Sequence, residues 1–110
     1  MTFRVVFLDS AEQDLKELKR YIVRNFGRIA WQNSYREIRT SIAALKLFPL
    51  SGRVPDELRN LQLSRYRQVI AGRNRIIYEL RQDTIFIHIV CDARKDLRTV
   101  LITRLLRPRV

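Results

Sequence analysis

RYRQVIAGRNRIIYELRQDTIFIHIVCDARKD, residues 65–96, is the stretch whose reading decides the fold. It divides into three apolar, β-branched and aromatic runs separated by two short polar breaks, the pattern of an antiparallel meander. The first strand is expected over 65–71, and Gly72-Arg73-Asn74 supplies a turn. The second is expected over 75–81, where Ile76, Ile77, Tyr78 and Leu80 fill a pleated surface. Gln82-Asp83 turns the chain again into a third strand over 84–91. Simple alternation puts Ile85, Ile87 and Ile89 on one face of it and Phe86, His88 and Val90 on the other. A strand with bulky apolar groups on both faces belongs at the centre of a sheet covered on both sides.

Working outward, residues 3–8 are rich in Val and Phe and read as a first, buried strand. Ser10, with Gln13 three residues on, has the spacing of a helix-capping box. Leu15, Leu18, Ile22 and Phe26 then recur at helical intervals up to Gly27, a residue suited to ending a helix. Trp31, Tyr35, Ile38, Ile42, Leu45 and Phe48 form a second apolar stripe, which Pro49 stops. Two helices joined so closely must lie antiparallel, as a hairpin. Residues 49–62 are irregular, with turn signals at Ser51-Gly52 and Pro55-Asp56 and room for one helical turn over 56–61. After the meander, Leu97, Val100, Leu101, Leu105 and Leu106 predict a short basic helix. The expected architecture is α+β: an N-terminal strand and a helical hairpin packed on a twisted antiparallel sheet, closed by a short C-terminal helix. One domain over 1–110 accommodates all of it.

Composition narrows the function. With 46% apolar and 30% charged residues the chain has the balance of a folded globular protein rather than a disordered one. No run approaches the length of a membrane span, and the apolar start is too short for a signal peptide. One cysteine, Cys91, and one histidine, His88, argue against a zinc site and an internal disulfide, and fit a cytoplasmic protein without cofactors. The net charge of +11 is unevenly spread. Residues 1–57 carry 10 basic and 7 acidic side chains, whereas residues 58–110 carry 12 basic and only 4 acidic ones. A field of that sign on the sheet and tail suits a polyanionic partner: nucleic acid, a nucleoprotein machine or an acidic protein segment.

The order strand, helical hairpin, P-x-x-G-R loop, meander and basic terminal segment resembles the RelE/ParE family of bacterial toxins from type II toxin–antitoxin systems. The resemblance is carried by SAEQDL at 10–15, Pro49-Leu50-Ser51-Gly52-Arg53, Glu57-Leu58-Arg59 and Tyr66-Arg67. Arg75-Ile76-Ile77-Tyr78-Glu79 and Ala93-Arg94-Lys95-Asp96 complete it, so nearly the whole chain takes part. It implies growth inhibition, a role in plasmid stabilisation, and a cognate acidic antitoxin bound in a hetero-oligomer. Two activities are implied: RelE-type members cut messenger RNA in the ribosome, whereas ParE-type members inhibit DNA gyrase on DNA.

The residues weigh between them. Metal-free RNA cleavage needs a base, an acid and cations for the phosphorane. Arg67, Arg75 and Lys95 match three basic positions of RelE-type enzymes, but Val69 and Leu101 stand where a lysine and a C-terminal aromatic are expected. After Asp96 there is no Tyr, His, Asp or Glu. His88 and Cys91 read as packed strand residues. Glu79 lies beside Arg75 and Arg81, where pairing would lower its pKa and blunt it as a base. The expectation is therefore a ParE-like gyrase inhibitor with no catalytic residues and no metal site, and a RelE-like ribonuclease as the alternative. Arg67, Arg75, Arg94, Lys95, Arg98 and Arg104 are the expected target contacts, with Arg107 extending that surface. Leu15, Leu18, Ile22, Tyr35, Ile38, Arg75 and Arg81 are the expected antitoxin contacts.

Overall fold

The computed structural model describes residues 2–59 and 63–105. The chain runs β1 (Arg4–Phe7), α1 (Asp9–Phe26), α2 (Arg28–Leu47), α3 (Asp56–Arg59), β2 (Tyr66–Ala71), β3 (Asn74–Arg81), β4 (Thr84–Asp92) and α4 (Leu97–Leu105). The three meander strands fall where their apolar runs predict. In the four-stranded sheet the order is β1-β4-β3-β2, so the apolar third strand is central. Of the residues expected in the last two helices, Leu61, Leu106 and Arg107 and the side chains of Leu101 and Leu105 lie outside the described residues.

Four details differ from the expectation. The first strand pairs with β4 in parallel, Arg4 opposite Thr84 through Phe7 opposite Ile87. A strand's own residues report its faces, not its polarity; polarity is set by the connections, here a helical pair followed by a long loop.

The second difference is a bulge. Ile77 pairs with Ile89 but Tyr78 pairs with Ile87, leaving His88 as the extra residue on β4. Beyond it the alternation reverses. Ile85, Ile87 and Val90 pack under the hairpin with Ile38, Ile42, Leu45, Ile76 and Tyr78. Ile89 and Cys91 instead join Leu58, Leu63, Tyr66, Ile77 and Leu97 on the opposite face, beneath α3 and α4. Both faces are thus covered, as the apolar content requires.

Third, the stripe on α2 is buried only in its middle. Ile38 and Ile42 are 1% and 9% exposed, as the architecture demands, but Tyr35 is 40% and Phe48 66% exposed. A helix of 20 residues is about 30 Å long, whereas the 6 residues of β2 span about 20 Å, so both ends of the stripe overhang. Finally, α1 starts at Asp9 with Leu8 in the cap position and no side-chain cap bond, which leaves Ser10 inside the first turn. Glu12 and Asp9 supply the negative charge favoured there.

Two glycines are required. Gly27 joins the helices at φ 93° and donates to the carbonyls of Ile22 and Val23. Gly52 is buried where the 49–53 loop crosses β2 and β3. A Cβ there would lie 2.6 Å from both the Gln68 carbonyl oxygen and the Tyr78 hydroxyl. Tyr78 ties the loop down, donating to the Pro49 carbonyl at 2.8 Å and accepting from the Gly52 amide at 3.0 Å. Arg53 and Gln68 exchange backbone hydrogen bonds at 3.2 and 2.8 Å, so the loop also covers part of the β2 edge.

Candidate functional site

Cross-strand pairs share a face, so the registers separate the arginines expected to act together. Arg67 pairs with Tyr78 and lies on the hairpin face, whereas Arg75 lies opposite, beside Ile77 and Glu79. Each has internal work. The Arg67 guanidinium donates to the Gly52 carbonyl at 2.7 Å and reaches the Leu50 carbonyl at 3.5 Å, clamping the loop. Arg75 pairs with Glu57 of α3 at 3.1 Å and lies 3.5 Å from the Gln68 side chain. Its Nε is buried with no acceptor among the described residues.

The remaining expected target residues gather at the other end of β4. Arg94 folds back on Asp92, its Nε and Nη2 donating to the two carboxylate oxygens at 3.1 Å each. The hydrogen bonds and charge of Arg94 hold the Asp92 carboxyl below the usual range. Even so, 71% of the Arg94 side chain is exposed. Lys95 and Arg98 are exposed as well, at the start of α4. Asp96 accepts from the Thr99 hydroxyl at 2.8 Å in the first turn of that helix. Arg94 and Lys95 form the rim of a groove of about 750 Å³ between α1, β4 and α4, lined also by Asp14, Leu18, Tyr21 and Arg104.

The groove exists because β1 is short. Its ladder ends at Phe7, with one further bond from the Leu8 amide to the Ile87 carbonyl, and the rest of that β4 edge is met by side chains. Asp14 accepts from the Val90 amide at 3.0 Å, and Arg104 donates to the His88 carbonyl at 3.2 Å and to Asp14. Burial pushes the Asp14 carboxyl up despite these two partners. The role of Asp14 is not legible in the sequence, since its partner Arg104 is 90 residues away.

A second constellation occupies the sheet face opposite the hairpin. Glu79, only 4% exposed, accepts from Arg81 Nε at 2.9 Å, shares a hydrogen bond with His88 Nε2 at 3.0 Å, and lies 3.7 Å from Arg65 Nε. Tyr66 stacks edge-on against His88. Burial pushes the Glu79 carboxyl up, but hydrogen bonds from Arg81 and His88 outweigh it, and the net shift is downward. A carboxylate held ionised in this way is a weaker base than a free one. Cys91 is buried, and burial pushes its thiol up, away from nucleophilic character. Among the described residues no group of three or more His, Cys, Asp and Glu could hold a metal.

The Glu79 shift has a sign that can be tested. A folded pKa below the unfolded one contributes stability that is fully present above the ordinary carboxylate range and lost as pH falls through the folded value. Wild type is therefore expected to lose stability relative to Glu79→Gln between about pH 5 and pH 2, measured by urea unfolding at each pH. Parallel curves for the two proteins would contradict it. Asp14 acts the other way, because a raised carboxyl is relieved by protonation, and it is common to both proteins.

The expected antitoxin contacts divide by burial. Leu15 and Leu18 are half-buried and Tyr35 is exposed, stacked on Trp31 with Arg39 over its ring. Ile22 and Ile38 are 8% and 1% exposed and serve the protein's own core. They can shape a groove but cannot themselves be covered by a partner.

Comparison with known proteins agrees with this fold. The sequence model of the family described as "ParE toxin of type II toxin-antitoxin system, parDE" matches residues 5–97. None of the curated proteins matches the chain in sequence. Among solved structures it is similar to a chain of the chromosomal ParDE toxin–antitoxin system from P. aeruginosa: TM-score 0.67, 13% identity, 83% of this chain and 96% of that one covered. A double arginine-to-alanine mutant of E. coli toxin RelE in the free state superposes with TM-score 0.66 at 10% identity, covering 99% and 100% of the two chains. A chain of the RelBE2 toxin–antitoxin complex from Mycobacterium tuberculosis gives TM-score 0.58 at 18% identity, covering 84% and 99%. At such identities these structures speak for the fold, and the family match speaks for descent. The chain belongs to the ParE toxin family of type II toxin–antitoxin systems.

Proposed function

We propose that this toxin inhibits DNA gyrase by binding the enzyme–DNA complex, without catalysing a reaction of its own, and that a cognate acidic antitoxin neutralises it in the cytoplasm. The observation that carries the reading is the contrast between the two ends of the expected cationic set. Arg67 and Arg75 are committed to the 49–53 loop and to Glu57. Arg94, Lys95 and Arg98 stand exposed at the end of β4 and the start of α4, with Arg104 behind them at the groove. An exposed cluster of cations suits a partner that presents DNA phosphate beside protein. Of the carboxylates lining the groove, Asp92 is engaged by Arg94 and Asp14 by Val90 and Arg104, while Glu17 stands on the α1 wall. General acid–base cleavage of RNA would have to fall to Glu17 or Tyr21, which also line the groove and have no histidine beside them there. Induced expression tests the reading in cells. Filamentation with broken chromosomal DNA supports it; loss of intact messenger RNA with undamaged DNA supports the RelE-like ribonuclease instead.

The antitoxin is expected to lay apolar side chains along the hairpin beside Leu15, Leu18 and Tyr35 and carboxylates against Arg81 on the sheet, Arg75 being already paired with Glu57. Opposite charge should speed association, by about tenfold or more at low salt, with a rate that falls as ionic strength rises. Stopped-flow mixing measures this. A rate indifferent to salt would contradict the electrostatic part.

A further inference from the structure

The arrangement around Glu79 is more organised than a solvated basic face requires. Arg65 arrives from the turn before β2 and Arg81 from the end of β3, yet each turns its Nε toward the same buried carboxylate. Each guanidinium also lies over an aromatic ring, Arg65 at 4.8 Å from Tyr66 and Arg81 at 5.3 Å from Phe86. Arg81 is anchored by its Nε hydrogen bond to Glu79, and Arg65 by the ion pair to Glu79 and an Nη2 hydrogen bond to the Tyr66 hydroxyl at 3.2 Å. Both still have more than half of their side chains exposed, 58% for Arg65 and 57% for Arg81. Long arginine side chains lose entropy when a ligand fixes them; here the protein has already fixed them. Two guanidinium charges against one carboxylate leave an uncompensated positive charge, and the outward nitrogens offer donors in a fixed plane.

We infer that Arg65 and Arg81, positioned by Glu79, form a preorganised receptor for a carboxylate side chain on an acidic segment of a protein partner. This inference rests on the antitoxin reading above and gives it a site on the sheet. The floor beside the arginines selects a peptide over a nucleic acid. Val6 lies opposite Phe86 in the β1–β4 ladder, on the same face, and is 42% exposed. An extended peptide that alternates acidic and apolar residues covers that apolar surface, whereas a phosphodiester backbone leaves it wet.

Glu79→Gln separates a positioned site from a merely charged one. It removes a negative charge and should tighten binding if only the net field matters; if the arginines must be held in place, it should weaken binding. The probes are a short fluorescent peptide of alternating glutamate and leucine and a single-stranded dT oligonucleotide of matched charge, read by anisotropy with the full-length protein. Wild type should bind the peptide in preference to the oligonucleotide. Arg81→Lys and Arg65→Lys, which keep the charge but lose the planar fork, should each weaken the peptide about tenfold, and Glu79→Gln should weaken it as well. Tighter or unchanged binding by Glu79→Gln, no peptide binding by wild type, or oligonucleotide binding through the same arginines would each overturn the inference. Should Glu79→Gln fail to fold by circular dichroism, the two lysine variants decide. Gyrase poisoning by the wild-type protein is scored separately. Its absence removes the functional reading and leaves the peptide result standing, while poisoning without peptide binding removes this inference alone.

Discussion

Arg94→Ala, Lys95→Ala and Arg98→Ala in one protein are expected to abolish growth inhibition while leaving the fold intact. The proposed phosphate contacts give the reason for the first half, and the structure gives the reason for the second. Arg94 pairs chiefly with Asp92, two residues away, and more weakly with Tyr21, through a largely exposed side chain, and exposed pairs of this kind contribute little to stability. Lys95 and Arg98 project from the turn and first helical residues without entering either apolar cluster. If the three cations meet phosphate, each lost contact should weaken target binding by about tenfold, and together they should lower the salt slope of binding by about three units. Growth after induction, with thermal melting as the control for folding, checks the result. A triple variant that melts normally and remains fully toxic would exclude this surface as the effector.

The second large effect concerns the loop at 49–53. Gly52→Ala should destabilise by about 1–3 kcal/mol, the cost of overpacking a well-fitted site. The new methyl meets a backbone carbonyl and the Tyr78 hydroxyl, neither of which can swing aside cheaply. Moving the loop would also break the Arg67 clamp and the Arg53–Gln68 bridge. Tyr78→Phe attacks the same junction from the sheet. It keeps the ring in the core but leaves the Gly52 amide and Pro49 carbonyl without their hydroxyl partner, for about 1–3 kcal/mol if water does not replace it. Urea midpoints measure both. Because they share one junction, the two effects should not add, and a midpoint unchanged by Gly52→Ala would contradict the packing described here.

Much of this architecture is legible in the sequence, for physical reasons that also explain the remainder. The meander is readable because strand and turn residues alternate sharply over 65–92, and the hairpin because Ile38, Ile42 and Leu45 repeat at helical spacing. The bulge at His88 is not. Strict alternation places Ile89 with Ile85 and Ile87, and only the pairing against β3 reveals the extra residue. Nor is the direction of β1, which depends on connections rather than on its four residues.

The site was legible in type more than in arrangement. A count of arginines identifies a cationic protein, but an arginine's role depends on which acceptor the fold brings to it. Arg67 finds a carbonyl in the 49–53 loop and Arg75 finds Glu57, both elements the sequence leaves as irregular connection. Arg65 carried no signal beyond its charge, yet it converges with Arg81 on Glu79 because Tyr66 and Glu79 are cross-strand partners. The pairing of Asp14 with Arg104 likewise appears only once α1 and α4 flank the free edge of β4.

The central claim is inhibition of gyrase without catalysis, and one side-by-side assay tests it most directly. The purified toxin is incubated with gyrase, ATP and supercoiled plasmid, and in parallel with programmed ribosomes carrying a defined message. Accumulated cleaved plasmid with intact message is the predicted result. Codon-specific cleavage of the ribosome-bound message, with gyrase supercoiling unaffected, would contradict it.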